Sequence, residues 1–372
     1  MDLKSRLKQV FELCNPLPEA VLLESASHGA VDPNFCYVTG FERSIPSGAS
    51  AILRLGERPL VMVSLMEGES AMQNRNIEVS VARNRREHDA AIGVSLGSCR
   101  RIGYNPSGLS VARFDVLKNL LPGAEWLDVS SALVRARLVK TGDEILWIRR
   151  AAELSAIAME EVPSLLVQGM AERDLAAEID YRLHKRGATG HAFDTIVAFG
   201  PNGAEPHHHS GEATLVPGSL VLVDLGARYR RYCADLTRTL AFGEVGEVET
   251  RMHAVVLAAR EAALGRLLAG TNGREVHEAA DRVIEETEFK GCFVHAVGHS
   301  VGLEAQDGIA LHSHSDFTVG PGMVFAVEPG VYVPGIGGVR IEDTVLVTDG
   351  GIEILTVVPT ELATERWKAG VE

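Results

Sequence analysis

The sequence predicts an α/β domain at the N-terminus followed by a larger α+β domain. Three observations carry this: apolar runs alternating with helical ones up to about residue 130, a capping signature that opens a long helix, and a strand-rich final third. The runs AVLLES (20–25), NFCYVTGF (34–41), SAILRL (50–55), LVMVSL (60–65) and IEVSVA (77–82) read as strands, rich in β-branched and apolar residues. REHDAAIGVSLG (86–97) and SGLSVARFDVLKNLL (107–121) read as helices, with RIGYN (101–105) as a strand between them. LPGAEWLDVS (121–130) and the charged RARLVKTGDE (135–144) read as the exit from this domain, which places it at 1–131 and the second at 132–372. Ahead of the first strand, Leu3, Leu7, Val10 and Phe11 share one helical face.

The second domain opens on Thr141, with Glu144 three residues later and the apolar Ile145, Leu146 and Ile148 beyond. That is a capping box, and the helix it starts is expected to run to Leu166. A second helix is expected from Glu172 to Arg186, stopped by Gly187. Two further helices, about 247–269 and 273–287, precede a strand-rich tail over 292–357.

Bulk properties narrow the function. The chain has 372 residues and a formal net charge of −14, so nucleic acid is a poor default partner. Five scattered cysteines without CxxC spacing fit a reducing compartment rather than a disulfide framework or thiolate zinc site. The N-terminus MDLKSRLKQVFEL lacks the apolar core of a signal peptide, and no run approaches the roughly 20 apolar residues of a membrane span. A cytoplasmic protein without membrane partners is the expectation.

The chemistry gathers around VLVDLGARYRRYCADLTRT (221–239), where Asp224 and Asp235 interrupt apolar strands on either side of a turn. A turn centred on Tyr229 and Arg230 would set the two aspartates opposite each other, with Cβ atoms about 5 Å apart. Ionised carboxylates that close repel unless a cation lies between them. Downstream, His295 and His299 stand in FVHAVGHSVGLEAQDG, Glu328 in GMVFAVEPGVYV, and Glu342 in GIGGVRIEDTVLV beside Arg340. Each has an ordinary structural explanation alone. Together, four carboxylates and one imidazole would balance two divalent cations, and a bridging hydroxide would leave one negative charge. Ligation dominated by oxygen suits Mn²⁺ or Co²⁺, with Zn²⁺ as a further option. Such a site performs hydrolysis.

The hairpin, HAVGHSVGLE (295–304), AVEPGVY (326–332) and GVRIED (338–343) resemble, in order, the motifs of the pita-bread metallopeptidases. The resemblance covers about 135–360. NFCYVTGF resembles a stretch of the creatinase-type N-terminal domain, pointing to the Xaa-Pro branch (M24B type): Xaa-Pro dipeptidase (prolidase) and aminopeptidase P. It implies a pita-bread catalytic domain with Asp224, Asp235, His299, Glu328 and Glu342 as ligands of two metal ions, manganese first. It further implies Glu328 and His207 as catalytic groups, His207, His295, Tyr332 and Arg340 on the substrate side, and Thr237 as a hydrogen-bond partner of the ligands. A metal-bridging hydroxide would attack the Xaa-Pro bond of dipeptides or short peptides, and the enzyme would be a homodimer. His208 and His209 read as ordinary loop residues.

One position departs: the family's Val-His-Glu after GLE is Ala305-Gln306-Asp307 here, so Gln306 takes the place of a substrate-side histidine. That substitution keeps open a metal-dependent hydrolase of a non-peptide amide on the same fold, or a weakly active or non-catalytic binding homologue.

Overall fold

The computed structural model describes residues 3–25, 32–42 and 46–363. The chain forms two compact units that divide between Arg137 and Leu138.

In the first unit, α1 (Leu3–Leu13) precedes β1 (Ala20–Glu24), α2 (Pro33–Thr39), β2 (Ser50–Leu53), β3 (Leu60–Ser64), α3 (Gly68–Met72) and β4 (Glu78–Ala82). Next come α4 (Arg85–Leu96), β5 (Arg101–Tyr104), α5 (Val111–Leu120), β6 (Glu125–Asp128) and α6 (Ser130–Leu138). The strands form one mixed sheet in the order β4-β3-β2-β1-β5-β6. Ala20, Leu22, Ile52, Met62 and Ile102 of the sheet pack with Ile92, Leu96 and Leu117 of α4 and α5.

Two segments differ from expectation. NFCYVTGF is not a strand but lies largely in α2. Asp32 caps its N-terminus by accepting from the Asn34 backbone N–H, Pro33 occupies the first turn, and Gly40 ends it at φ 72°. Its β-branched and aromatic residues are buried on every side, so neither period shows in the sequence. LPGAEWLDVS is not merely an exit: its Glu125–Asp128 pairs parallel with β5 as an edge strand.

The second unit begins with α7 (Gly142–Leu165) and α8 (Glu172–Lys185). In α7 the Thr141 and Glu144 side chains each meet the other's backbone N–H. Next come β7 (Gly190–His191), β8 (Ile196–Phe199), β9 (Ser219–Leu225), β10 (Ala227–Tyr229), β11 (Tyr232–Cys233) and β12 (Leu236–Phe242). Helices α9 (Glu247–Arg266) and α10 (Gly273–Glu285) follow, then β13 (Gly298–Ser300), β14 (Ala310–Leu311), β15 (Val324–Val327), β16 (Gly330–Val333), β17 (Gly337–Arg340), β18 (Asp343–Thr348) and β19 (Gly351–Ile354).

Antiparallel sheets β12-β9-β8 and β14-β13-β15-β18-β19 form the framework. One apolar cluster joins α7 and α8 to β8, β9 and β12; another joins α9 and α10 to β14, β15, β16, β17 and β18. Among the described residues, no helix is long and apolar enough to cross a membrane.

The central hairpin turns one residue later than expected. Arg230 (φ 47°) and Arg231 (φ 75°) form its tip, and Tyr229 pairs with Tyr232. Asp224 therefore faces Thr237, not Asp235. Asp235 precedes β12 by one residue, two positions before Thr237. A two-residue offset preserves the face of a strand, so both carboxylates still reach one side.

Candidate metal centre

A cavity of about 660 Å³ opens within the second unit, and its lining includes Asp224, Asp235, His299, Glu328 and Glu342. Each side chain arrives from an element the sequence shapes tightly. Asp224 is the penultimate residue of the wholly buried β9, and Asp235 exchanges two hydrogen bonds with Thr344 through its backbone. His299 sits mid-β13. Gly298 before it has no room for a side chain, because an added Cβ would strike the carbonyl oxygen of Ala326 on β15. Glu328 follows β15 at the Pro329-Gly330 turn.

Glu342 joins β17 to β18. Its backbone is held by a buried ionic group, in which Arg238 donates to the Glu342 carbonyl and pairs with Asp343 at 2.8 Å. Arg260 pairs with the other oxygen of Asp343. Alternation in β12 could have flagged Arg238 as an inward cation in the sequence; its partner lies 105 residues away.

The carboxylates crowd in a largely buried setting. Asp235, His299 and Glu342 offer ligand atoms that all lie within 4.8 Å of one another. His299 Nε2 is 3.5 Å from Glu328 Oε1 and 3.6 Å from Asp235 Oδ2. Burial, followed by the charges of Glu342, Asp224 and Glu328, holds the Asp235 carboxyl well above its ordinary range. Burial, then Glu328 and Asp224, does the same for Glu342. Glu328 is pushed up to about 8, first by burial and then by Asp224, against the opposing charge of Arg340. Burial lowers His299, favouring the neutral imidazole that can ligate. Asp224 Oδ1 is buried without a hydrogen-bond partner among the described residues.

Three crowded carboxyls forced upward, an orphaned carboxylate oxygen and a neutral imidazole within reach are what divalent cations would relieve. The residues fit that group.

Around this cluster, Thr237 Oγ1 donates to Glu342 Oε2 at 2.6 Å and accepts from Arg340 Nε at 3.1 Å. Arg340 is 2% exposed and donates to Asp224 Oδ2 at 2.7 Å. It also donates to the Tyr332 hydroxyl at 2.9 Å, and that hydroxyl is 2.8 Å from His295 Nε2. The His295 Nδ1 lies 2.7 Å from the Ala296 carbonyl, which can only accept, so Nδ1 carries the proton and Nε2 accepts from Tyr332. Burial lowers His295 to about 4 and keeps it neutral.

Of the residues expected on the substrate side, His207, His295, Gln306 and Arg340 line the cavity. Tyr332 does not; it is buried behind the wall as a link between Arg340 and His295. His208 and His209, expected as ordinary loop residues, also line it. Phe193 and Ile196 add apolar wall that sequence reasoning did not single out.

A two-domain architecture with a buried acidic site fit for metal ions defines the class, and similarity to known proteins gives the family. Residues 147–349 match metallopeptidase family M24, and residues 19–139 match the creatinase/prolidase N-terminal domain. The chain belongs to metallopeptidase family M24, and its fold is a creatinase-like N-terminal domain followed by a pita-bread catalytic domain.

Over 333 residues it is 33% identical to the Xaa-Pro dipeptidase of Pyrococcus horikoshii, covering 90% of this chain and 93% of that protein. The solved Xaa-Pro dipeptidase from Bacillus anthracis superposes with a TM-score of 0.89 at 29% identity, covering 97% of this chain and 98% of that one. The X-Pro aminopeptidase from Thermotoga maritima superposes with a TM-score of 0.87 at 29% identity, covering 97% and 100%.

Proposed function

We propose that this chain hydrolyses the Xaa-Pro bond of dipeptides or short peptides, holding two divalent ions on Asp224, Asp235, His299, Glu328 and Glu342. The observation that carries the reading is the convergence of these side chains on one cavity of a size suited to a small substrate. Bound there, divalent ions would polarise a carbonyl oxygen and acidify water to near neutral pH. The oxygen-rich ligand set favours manganese, with cobalt or zinc as alternatives.

The chain's own groups divide the remaining work. Glu328, the least buried of the carboxylates named, accepts the proton of the attacking water at its carboxylate. His207, exposed into the cavity, donates to the carbonyl oxygen as charge develops there. Gln306, also exposed into the cavity, offers an amide donor, and the buried Lys140–Asp307 pair holds its loop at 3.6 Å. Arg340, Thr237 and the Tyr332–His295 link keep Asp224 and Glu342 in place. Phe193 and Ile196 supply apolar surface for a proline ring.

The lack of any disulfide among the described residues supports a reducing, cytoplasmic setting; a homodimer is carried over from the family resemblance. The test is a panel of Xaa-Pro dipeptides and tripeptides offered to metal-free protein after adding Mn²⁺, Co²⁺ or Zn²⁺. Cleavage before proline only with metal is expected. No cleavage of any member with any of the ions would overturn the reading.

A further inference from the structure

The cavity is walled on one side by a segment whose pose is set from outside. His207 and His209 are exposed and His208 between them is half-buried, and all three line the cavity. His208 turns toward Glu172, the first residue of α8, and its Nε2 lies 2.8 Å from Glu172 Oε2. Glu172 is 0% exposed and absent from the cavity lining.

Its carboxylate takes three more hydrogen bonds from the same segment. The Phe199 N–H at 2.8 Å and the Asn202 amide at 2.9 Å reach Oε1, and the Gly211 N–H reaches Oε2 at 3.0 Å. Both oxygens are thus filled by donors that bracket the histidines on either side. Burial works to raise this carboxyl, but the bonds from His208, Phe199, Asn202 and Gly211 outweigh it and leave it below its ordinary range. The backbone adds two ties, from Glu172 N to Ala213 O and from Arg173 N to Gly211 O, each 3.1 Å.

A buried charge satisfied by four donors from one loop is a rigid anchor. We infer that Glu172 is a positioning residue: through His208 it fixes the direction in which His207 and His209 enter the cavity. This rests on the Xaa-Pro reading only where it concerns turnover, and deepens it by assigning substrate placement to a residue that touches no substrate. Glutamine has the shape of glutamate but can accept at only one oxygen. Glu172→Gln therefore sets an NH₂ against either the Phe199 and Asn202 donors or the His208 and Gly211 donors. The segment must then shift, and misplacement of about 1 Å near the reacting groups costs about 10²-fold.

Two measurements test it. In zinc-loaded protein with ¹⁵N-labelled histidine, Glu172→Gln should move the imidazole resonances of His207 and His209 as well as His208. In the manganese-loaded enzyme, Glu172→Gln should lower kcat/KM on an Ala-Pro dipeptide about 10²-fold with metal content unchanged. The double variant with His207→Ala should lose less than the product of the two single effects, because part of what Glu172 contributes passes through the placement of His207.

Should Glu172→Gln fail to fold, His208→Ala, which leaves the other three bonds to Glu172, is read the same way. Resonances of His207 and His209 that stay in place, or kinetic effects that simply add, would overturn the inference. Resonances that move as expected in a protein that cleaves no Xaa-Pro substrate would overturn the proposed activity and leave the positioning role standing.

Discussion

Thr237→Val probes how the scaffold holds the metal cluster. Thr237 is fully buried, and valine matches its shape, so the change deletes a hydroxyl and little else. Two bonds go with it: the 2.6 Å donation to Glu342 Oε2 and the 3.1 Å acceptance from Arg340 Nε. Hydrogen bonds to charged groups contribute about 1.5–3 kcal/mol each, and a buried donor left without an acceptor costs about 1–3 kcal/mol. Part of this returns, because Glu342 freed of Thr237 can turn, and Arg340 keeps its bonds to Asp224 and Tyr332.

The readout is metal affinity. Loss of a partner that orients a ligand lowers affinity about 10–100-fold, or about 1.4–2.8 kcal/mol at 1.4 kcal/mol per decade. Competition with a chelator of known affinity, on wild type and Thr237→Val at one pH, measures it. Affinity within twofold of wild type in a normally folded variant would refute Thr237 as the group that orients Glu342.

Gln306→His should raise kcat on a Xaa-Pro dipeptide by about 10²-fold at unchanged metal content, because imidazole can carry a proton that an amide cannot; a slower histidine variant would assign Gln306 to a different substrate. Gly298→Ala should lower the thermal midpoint and metal content together, since the added Cβ collides with the Ala326 carbonyl and separates β13 from β15. A melting curve and metal content equal to wild type would sink that account.

Glu172 supplies a pH test. Its folded-state pKa is depressed, so its contribution is present above the ordinary glutamate value of about 4.3 and is lost as pH falls through the lower folded value. Denaturant unfolding from pH 7 to pH 3 should show a shallower acid limb in Glu172→Gln, and identical limbs would contradict it.

Much of this could be read from the chain, and the failures have identifiable causes. The carboxylates at 224, 235, 328 and 342 stood out because apolar strands do not tolerate bare charge. The face on which Asp224 and Asp235 converge was legible. Their pairing was not, since the turn's left-handed positions hold Arg230 and Arg231 rather than the glycine or asparagine that marks such turns. Segment 34–41 misled because its propensities are those of a strand, while Asp32, Pro33 and Gly40 decide for a helix. Glu172 was hidden as an unremarkable acid in a helix's first turn. The partners that give it meaning lie 27 to 39 residues downstream. Tyr332 was placed with the substrate because sequence order cannot tell the cavity side of a wall from its back.

The most direct test is a titration of Mn²⁺ into metal-free protein, following bound metal per chain and hydrolysis of an Ala-Pro dipeptide in the same samples. The account predicts no cleavage without metal, a rise with occupancy that levels off at two ions per chain, and loss of at least one ion and nearly all cleavage in Asp235→Ala at the same metal concentration. Full hydrolysis by metal-free protein, or stoichiometric binding of two ions without cleavage of any Xaa-Pro bond, would contradict it.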